Sequence, residues 1–387
     1  MRVRRTRRAW LAAVAAGGAL AALPAAMRAA AADGRPRDED HRAWQHGIDL
    51  LRVDGKLLLI WGSAGNPPQP QLGGDWPHDI YFAWIESDVA AQVAVHPQVL
   101  VARPEAQEPP SAAINSAGRI LVTAEDGEDN INQRAGLWDA QLRPIRPYPY
   151  TIRKGGHSGH AAALGERFLV AYGEGWQEGG GFMDRGTGRD IHARILDNAG
   201  TPGPEIHLAR GHRDGWPLVA ASDRNWLVLW QRYAGLSLYG AVIEPDGRAA
   251  AERRIAVGLP IRYAYDVAYA AALGCYVVAG NSGAQGFVAL LERDGRIRTM
   301  QGGLPPLASE SRVLIGAAGG ETLAAYPVAP QGVALLRLGQ KEVRLMKMIE
   351  HPHRWDYIGT TGMFLGATRL LLATLSTQGV RAFTLDL

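Results

Sequence analysis

The chain has 387 residues and carries 41 Lys+Arg against 38 Asp+Glu, a formal charge of +3. Six of those arginines (2, 4, 5, 7, 8 and 28) fall in the first 32 residues, which hold no acid; without them 35 basic residues face 38 acidic ones, a balance of −3. That balance excludes a basic footprint for nucleic acid, and a single cysteine, Cys275, excludes any internal disulfide.

The amino terminus reads as an address. Thr6-Arg7-Arg8-Ala9-Trp10-Leu11 resembles a twin-arginine export motif, and an Ala-rich apolar run follows it. The run is too short and too Ala-rich to anchor the protein in a membrane. Residues 1–32 are therefore expected to be a signal peptide cleaved among residues 29–32. Residues 33–387 are expected to form one domain with no membrane insertion, periplasmic or secreted and monomeric. A protein exported already folded is compatible with a cofactor loaded beforehand, without requiring one. Cys275 sits in the apolar run GCYVVAG and reads as a buried core thiol.

Beyond the leader, a unit recurs about every 50 residues, roughly seven times, and a period of that size marks solenoids, propellers and arrays. Each unit reads as four short strands. Unit one has IDLLRV (48–53), KLLLIW (56–61), DIYFAWI (79–85) and QVLVA (98–102). Unit two has SAAIN (111–115), RILVTA (119–124), AGLWDA (135–140) and YTIR (150–153). Unit three has HAAAL (160–164), RFLVAY (167–172), DIHARILDNAG (190–200) and EIHLA (205–209). Unit four is the clearest copy, with WPLVAAS (216–222), NWLVLWQ (225–231), LYGAVIEPDG (238–247) and RRIAVG (253–258).

Unit five has DVAYA (266–270), CYVVAG (275–280), GFVALLERDG (286–295) and RIRTM (296–300). Unit six has RVLIGA (312–317), TLAAYP (322–327), VALLRL (333–338) and VRLMKM (343–348). Unit seven has DYIGTTG (356–362), RLLLATL (369–375) and RAFTLDL (381–387), and stops one strand short. Four short runs split by turn residues make one antiparallel sheet, the blade of a β-propeller. The fold class is all-β: a single propeller of seven four-stranded blades, with six or eight as alternatives because unit one is stretched and unit two degenerate. An N-terminal strand, expected at 38–45, completes the last blade and leaves no open edge.

The third and fourth runs of two units carry a resemblance. DIHARILDNAGTPGPEIHLA (190–209) and LYGAVIEPDGRAAAERRIAVG (238–258) are similar to the DIYARRLDADGTPVGPEF repeat of bacterial exported propellers. The resemblance implies fold and export, not activity. The S-x-D-x-G-x-T-W box of sialidases is absent, since SDRNW (222–226) lacks the Gly and the Thr. Trp138-Asp139 occurs once, so WD-type tetrads are not established.

In a propeller the connections between units and those between second and third strands share one face, around the channel mouth. The lead-ins to each unit carry His157 and His160, His212 and Asp214, Arg262 and Tyr265, Glu310 and Arg312, then His351, His353 and Arg354. Trp44 and His46 precede unit one. Six of the eleven histidines fall in these segments. Connections between second and third strands are expected to be long in units one to three. They carry Asp75, Trp76 and His78; Glu125, Asp126, Glu128 and Asp129; Glu174, Trp176, Glu178, Asp184 and Arg185. Long loops in a compact domain are usually functional or disordered.

Three readings compete. A carbohydrate-active enzyme acting on acidic poly- or oligosaccharide comes first. The residue types around the mouth are loosely similar to those of β-propeller polysaccharide lyases. That similarity implies Arg262 or Arg312 as the uronate clamp and His157, His160, His212 or Tyr265 as proton-transfer groups. Trp76, His78, Trp176, Glu174, Asp126, Asp214, His351, His353 and Arg354 would then bind substrate. A hydrolase would instead pair Asp126 or Glu128 with Glu174 or Asp184. The second reading is a non-catalytic ligand- or protein-binding propeller. The third is a metal or redox protein with a divalent ion held by a His cluster such as His157/His160 or His351/His353. His192 and His207, in mid-strand, read as surface positions. An enzyme requires proton-transfer groups that converge in a cleft, a binding module an aromatic face with the histidines turned inward, and a metal site imidazoles that meet at one point.

Overall fold

In each blade the second strand is buried along nearly its whole length, because neighbouring blades cover both of its faces. Lys56–Ser63 (KLLLIWGS), Ile120–Asp126 and Trp226–Arg232 are buried along almost their whole length. Outermost strands are mostly exposed or half-buried, as in Pro144–Lys154 and Pro202–Ala209, since they border water. The structure is a computed structural model and describes residues 45–68, 78–86, 92–93, 95–127, 131–174, 190–260, 263–354, 359–376 and 378–387. The expected signal peptide lies outside them.

The described strands form seven four-stranded antiparallel sheets. Blade one is Gln45–Val53, Lys56–Ser63, Asp79–Ile85 and Gln98–Val101. Blade two is Gln107–Ile114, Ile120–Asp126, Asn132–Trp138 and Pro144–Lys154. Blade three is Gly156–Leu164, Arg167–Glu174, Asp190–Leu196 and Pro202–Ala209. Blade four is Asp214–Ala221, Trp226–Arg232, Ser237–Ile243 and Arg253–Val257. Blade five is Tyr265–Ala270, Cys275–Ser282, Gln285–Leu291 and Ile297–Leu304. Blade six is Leu314–Ala318, Glu321–Pro327, Gln331–Leu338 and Val343–Arg354. Blade seven is Thr360–Leu365, Arg369–Thr374, Arg381–Asp386 and, from the other end of the chain, Gln92–Val93.

First strands line a central channel. Each touches the first strand of the next blade, and Thr360–Leu365 returns to Gln45–Val53, which makes the protein a seven-bladed propeller. Seven apolar clusters fill the seven gaps between adjacent blades. Cys275 is buried in the cluster between blades five and six, as its apolar run suggests.

The closure differs in detail from expectation. Val93 pairs with Ala382 and Gln92 with Phe383, so the last blade is completed from the connection inside blade one. Of the expected donor at 38–45, only Gln45 is described, and it opens the first strand of blade one. Two further boundaries move. Asp126 pairs directly with Asn132, so the second-to-third connection of blade two is short rather than long. His351, His353 and Arg354 belong to the end of the outermost strand of blade six, not to a connection, because the ladder with Gln331–Leu338 runs on to Arg354.

Candidate functional site

At the channel mouth the first strands of blades one to four each carry a bulge, between Gln45 and Ile48, Glu108 and Ser111, His157 and His160, and Gly215 and Leu218. Extra residues at the rim turn side chains away from the regular pleat. Gly47 has φ +80, and a side chain there would lie 2.7 Å from the Pro109 ring. Ser158, Trp216, Tyr263 and Glu310 take positive φ of 53, 54, 52 and 52 without being glycine. Each such residue costs on the order of 1 kcal/mol, and such strain clusters where side chains must be aimed.

The aimed side chains meet over the channel. Trp216 of blade four stacks on Tyr263 at 4.0 Å between ring centroids and 17° between planes. Its other stacking partner, His46 of blade one, lies at 5.5 Å and 14°. His160 of blade three meets the same indole edge-on at 5.3 Å. Trp216 is 6% exposed, and the Tyr265 hydroxyl donates to its carbonyl at 2.5 Å. The row runs from blade five to blade one and plugs the channel at this end.

Acids flank the His46 end of the row. Glu310 Oε2 lies 3.2 Å from His46 Nε2, and Glu108 Oε2 lies 3.6 Å from Nδ1. His78 Nδ1 contacts the same Glu108 oxygen from just ahead of blade one's third strand. All four side chains are buried. Burial opposes a charged His46 ring, but Glu310 and Glu108 together outweigh it and lift its pKa to about 10. His46 is thus an imidazolium at neutral pH, held between two carboxylates.

Arg312 joins Asp49 (2.8 Å) to Asp266 (3.2 Å) across the channel. The second oxygen of Asp49 accepts the Ala112 N–H and that of Asp266 the Val313 N–H, both at 2.7 Å. Burial disfavours the Arg312 charge, yet the two aspartates hold its pKa above the usual arginine value. The guanidinium is committed to internal partners.

The other expected site residues divide clearly. His160 is buried, with Nδ1 on the Ser158 carbonyl at 3.1 Å; burial, aided by Arg312, pushes its pKa down to about 3 and keeps it neutral. His157 packs against Gly173, where a side chain would come within 2.8 Å of the imidazole, and its Nδ1 meets Ser158 Oγ at 3.2 Å. Tyr265 is spent on Trp216. Asp214 forms a two-pronged pair with Arg232 at 2.9 Å for each contact, and Arg232 also holds Glu252. Asp126 is buried beside Arg103 and accepts the Tyr148 hydroxyl at 3.2 Å. Glu174 pairs with Arg153 and His192. His212 is exposed. Trp76, Trp176 and Arg262 lie outside the described residues.

The central cluster therefore joins His78 to His46, Glu108, Glu310, Trp216 and Tyr263; the sequence reading named His46 and Glu310 as lead-in residues without giving them a role, and did not name Glu108, Trp216 or Tyr263 as site residues. The available signal was a shared offset: each of the five other than His78 precedes, or opens, a unit's first strand. Among the described residues, the His/acid groupings with metal-ligand spacing are His192, Glu205 and His207, and Glu174, Asp190 and His192. His157 and His160 are in neither.

No protein-family model and no curated protein matches the chain. Solved propellers do. A chain of a mitotic checkpoint complex aligns over 89% of this chain and 87% of its own with a TM-score of 0.53 and 8% identity. Kuenenia stuttgartiensis hydrazine synthase aligns over 88% and 95%, with a TM-score of 0.52 and 11% identity. Trypanosoma rangeli sialidase matches more loosely, over 88% and 54%, with a TM-score of 0.44 and 12% identity. Likenesses this remote in sequence show a shared propeller fold and carry no activity with them.

Proposed function

We propose that the chain is an exported propeller of the bacterial envelope that binds a saccharide or a similar polar ligand on its channel-mouth face. The observation that carries this reading is the plug of Tyr263, Trp216 and His46. It turns the channel end into a floor, with half-buried Tyr263 as its more accessible aromatic. Aromatic surface with a few fixed polar groups is a general recipe for a ligand site. Among the described groups expected to do lyase chemistry, His157, His160, Tyr265 and Arg312 are committed to internal partners, which favours recognition over turnover. The export address and the resemblance to exported propeller repeats support the location.

A second reading, acid–base catalysis on an acidic saccharide, is favoured by one observation: His46, His78, Glu108 and Glu310 form one contact group. It ranks second because an imidazolium with a pKa near 10 gives up its proton poorly at neutral pH. Affinity electrophoresis of the purified full chain against neutral and uronate polysaccharides tests the first reading, with unsaturated and reducing ends assayed in parallel. Retardation that Tyr263→Ala weakens, without new ends, supports recognition. New ends that vanish in Glu310→Gln replace recognition by catalysis. Absence of both retardation and product removes the saccharide reading.

A further inference from the structure

We propose that blade three carries a divalent transition-metal site of the zinc class, with His192, His207 and Glu205 as its protein ligands. The site lies on the third and fourth strands of the blade, separate from the central plug, and goes beyond the ligand-binding reading above.

Strand register builds it. His192 pairs with Tyr172 on one side and with His207 on the other, so the three side chains form a row across one face of the sheet. Glu205 stands two residues before His207 and shares that face. Glu205 Oε1 lies 3.6 Å from His192 Nδ1 and 3.9 Å from His207 Nε2. The two imidazoles are 4.5 Å apart between centroids, at 66°. These separations are too long for hydrogen bonds. They suit ligands that share an ion: two atoms each about 2.0–2.1 Å from a tetrahedral zinc stand roughly 3.4 Å apart.

The surrounding groups orient the ligands. Glu205 uses its other oxygen, Oε2, to accept the Tyr172 hydroxyl at 2.8 Å, and the Arg153 and Arg194 guanidinium groups lie 3.4 and 3.7 Å from that same oxygen. Its Oε1 is thereby left to the imidazoles. On His192, Nε2 lies 2.7 Å from Glu174 Oε2, while Arg153 holds the opposite Glu174 oxygen. Glu174 thus stands on the Nε2 side of the ring and Glu205 with His207 on the Nδ1 side. Carboxylate, imidazole and metal in that order is the usual outer-shell arrangement of a zinc histidine. His192 is 1% exposed, and among the described residues neither of its ring nitrogens has a hydrogen-bond partner, which leaves a buried imidazole unsatisfied beside the Glu205 carboxylate.

Access is present as well. The ligand row looks toward Arg153 of blade two, and the His207 side chain is 41% exposed, so that end of the row meets solvent. Two imidazoles and one carboxylate favour zinc, nickel or copper over magnesium or calcium, and three protein ligands leave a fourth position for water.

Zinc itself is the probe. The full chain is stripped with a chelator, titrated with Zn²⁺ against a chromophoric competitor, and refilled with Co²⁺ for its visible spectrum. The proposal expects one zinc per chain and a tetrahedral cobalt spectrum. His207→Ala, at a residue whose side chain is 41% exposed and so replaceable without unfolding, should weaken binding at least 100-fold. Glu174→Gln should weaken it about 10-fold while stoichiometry stays at one. The exposed His212→Ala should change nothing. No stoichiometric zinc in the folded wild type, or affinity unchanged in His207→Ala, overturns the site.

Discussion

His46 and Trp216 lie face to face across the channel, 5.5 Å between ring centroids and 14° between planes. One opens blade one and the other opens blade four, so the contact ties opposite sides of the ring together. Glu310 and Glu108 charge the imidazole from its edge while the indole covers its face. A cation on an aromatic face is attracted to it, which adds to the stacking. The plug is thus both an electrostatic and a packing device, and the two parts can be separated by experiment.

The His46 charge makes stability depend on pH. Its pKa rises from 6.5 to about 10 on folding, so the stabilisation is complete below about pH 6.5 and fades as pH climbs toward 10. Urea midpoints of wild type and His46→Gln should differ most at pH 6 and converge near pH 10. Glu310→Gln should flatten the wild-type dependence and cost about 3 kcal/mol at pH 6, since it leaves a buried charge with one partner fewer. An equal gap between wild type and His46→Gln at both ends of the range would rule out the assignment.

Tyr265 positions Trp216 rather than transferring protons. Tyr265→Phe removes the hydrogen bond to the strained Trp216 carbonyl and should cost about 1–2 kcal/mol. Trp216→Ala, which empties the plug, should cost about 3–5 kcal/mol. Denaturant unfolding checks both. A Tyr265→Phe variant as stable as wild type would show that the carbonyl has another partner.

Arg312 serves Asp49 and Asp266. Arg312→Met strands two carboxylates and should destabilise by about 3–5 kcal/mol. Adding Asp266→Asn to that variant should restore part of the loss. If the double variant is no more stable than the single one, the pairing is not what holds this part of the channel.

Ring closure rests on a two-residue strand, and Val93 is the register partner of Ala382. Paired cysteines at antiparallel partners fall within disulfide reach. Val93→Cys/Ala382→Cys should therefore cross-link under oxidation and add roughly 2–4 kcal/mol, because the bond closes a long loop in the unfolded chain. Thermal melts with and without reductant read the difference, and Cys275, being buried, should stay unmodified in the folded protein. Failure to cross-link would place the closing strand elsewhere.

The sequence reading identified the blades well and the site poorly, for the same reason. Lys56–Ser63 and Trp226–Arg232 are apolar because both faces are covered, and that demand is written locally, residue by residue. Turn residues such as Asp246-Gly247 and Asp294-Gly295 mark where strands reverse. Gln92–Val93 is too short to show any period, so its pairing with the last blade was not legible in the sequence. His192 and His207 read as surface positions because alternation along a strand says nothing about which residue stands opposite; the register places them together, and His192 is buried.

What the sequence by itself determined is the repeated four-strand unit, and with it the seven blades and the face on which the lead-in residues gather. Those follow from hydrophobic pattern and turn chemistry within some 50 residues of one another. Only the tertiary structure decided that His46, Glu108, Trp216, Tyr263 and Glu310 meet, with His160 against the same indole, while Tyr265 and Arg312 are committed to partners on other blades. The members of that cluster come from blades far apart in the chain. Bulges at the rim set their direction by overriding the period of two, so the cluster exists only once the ring has closed.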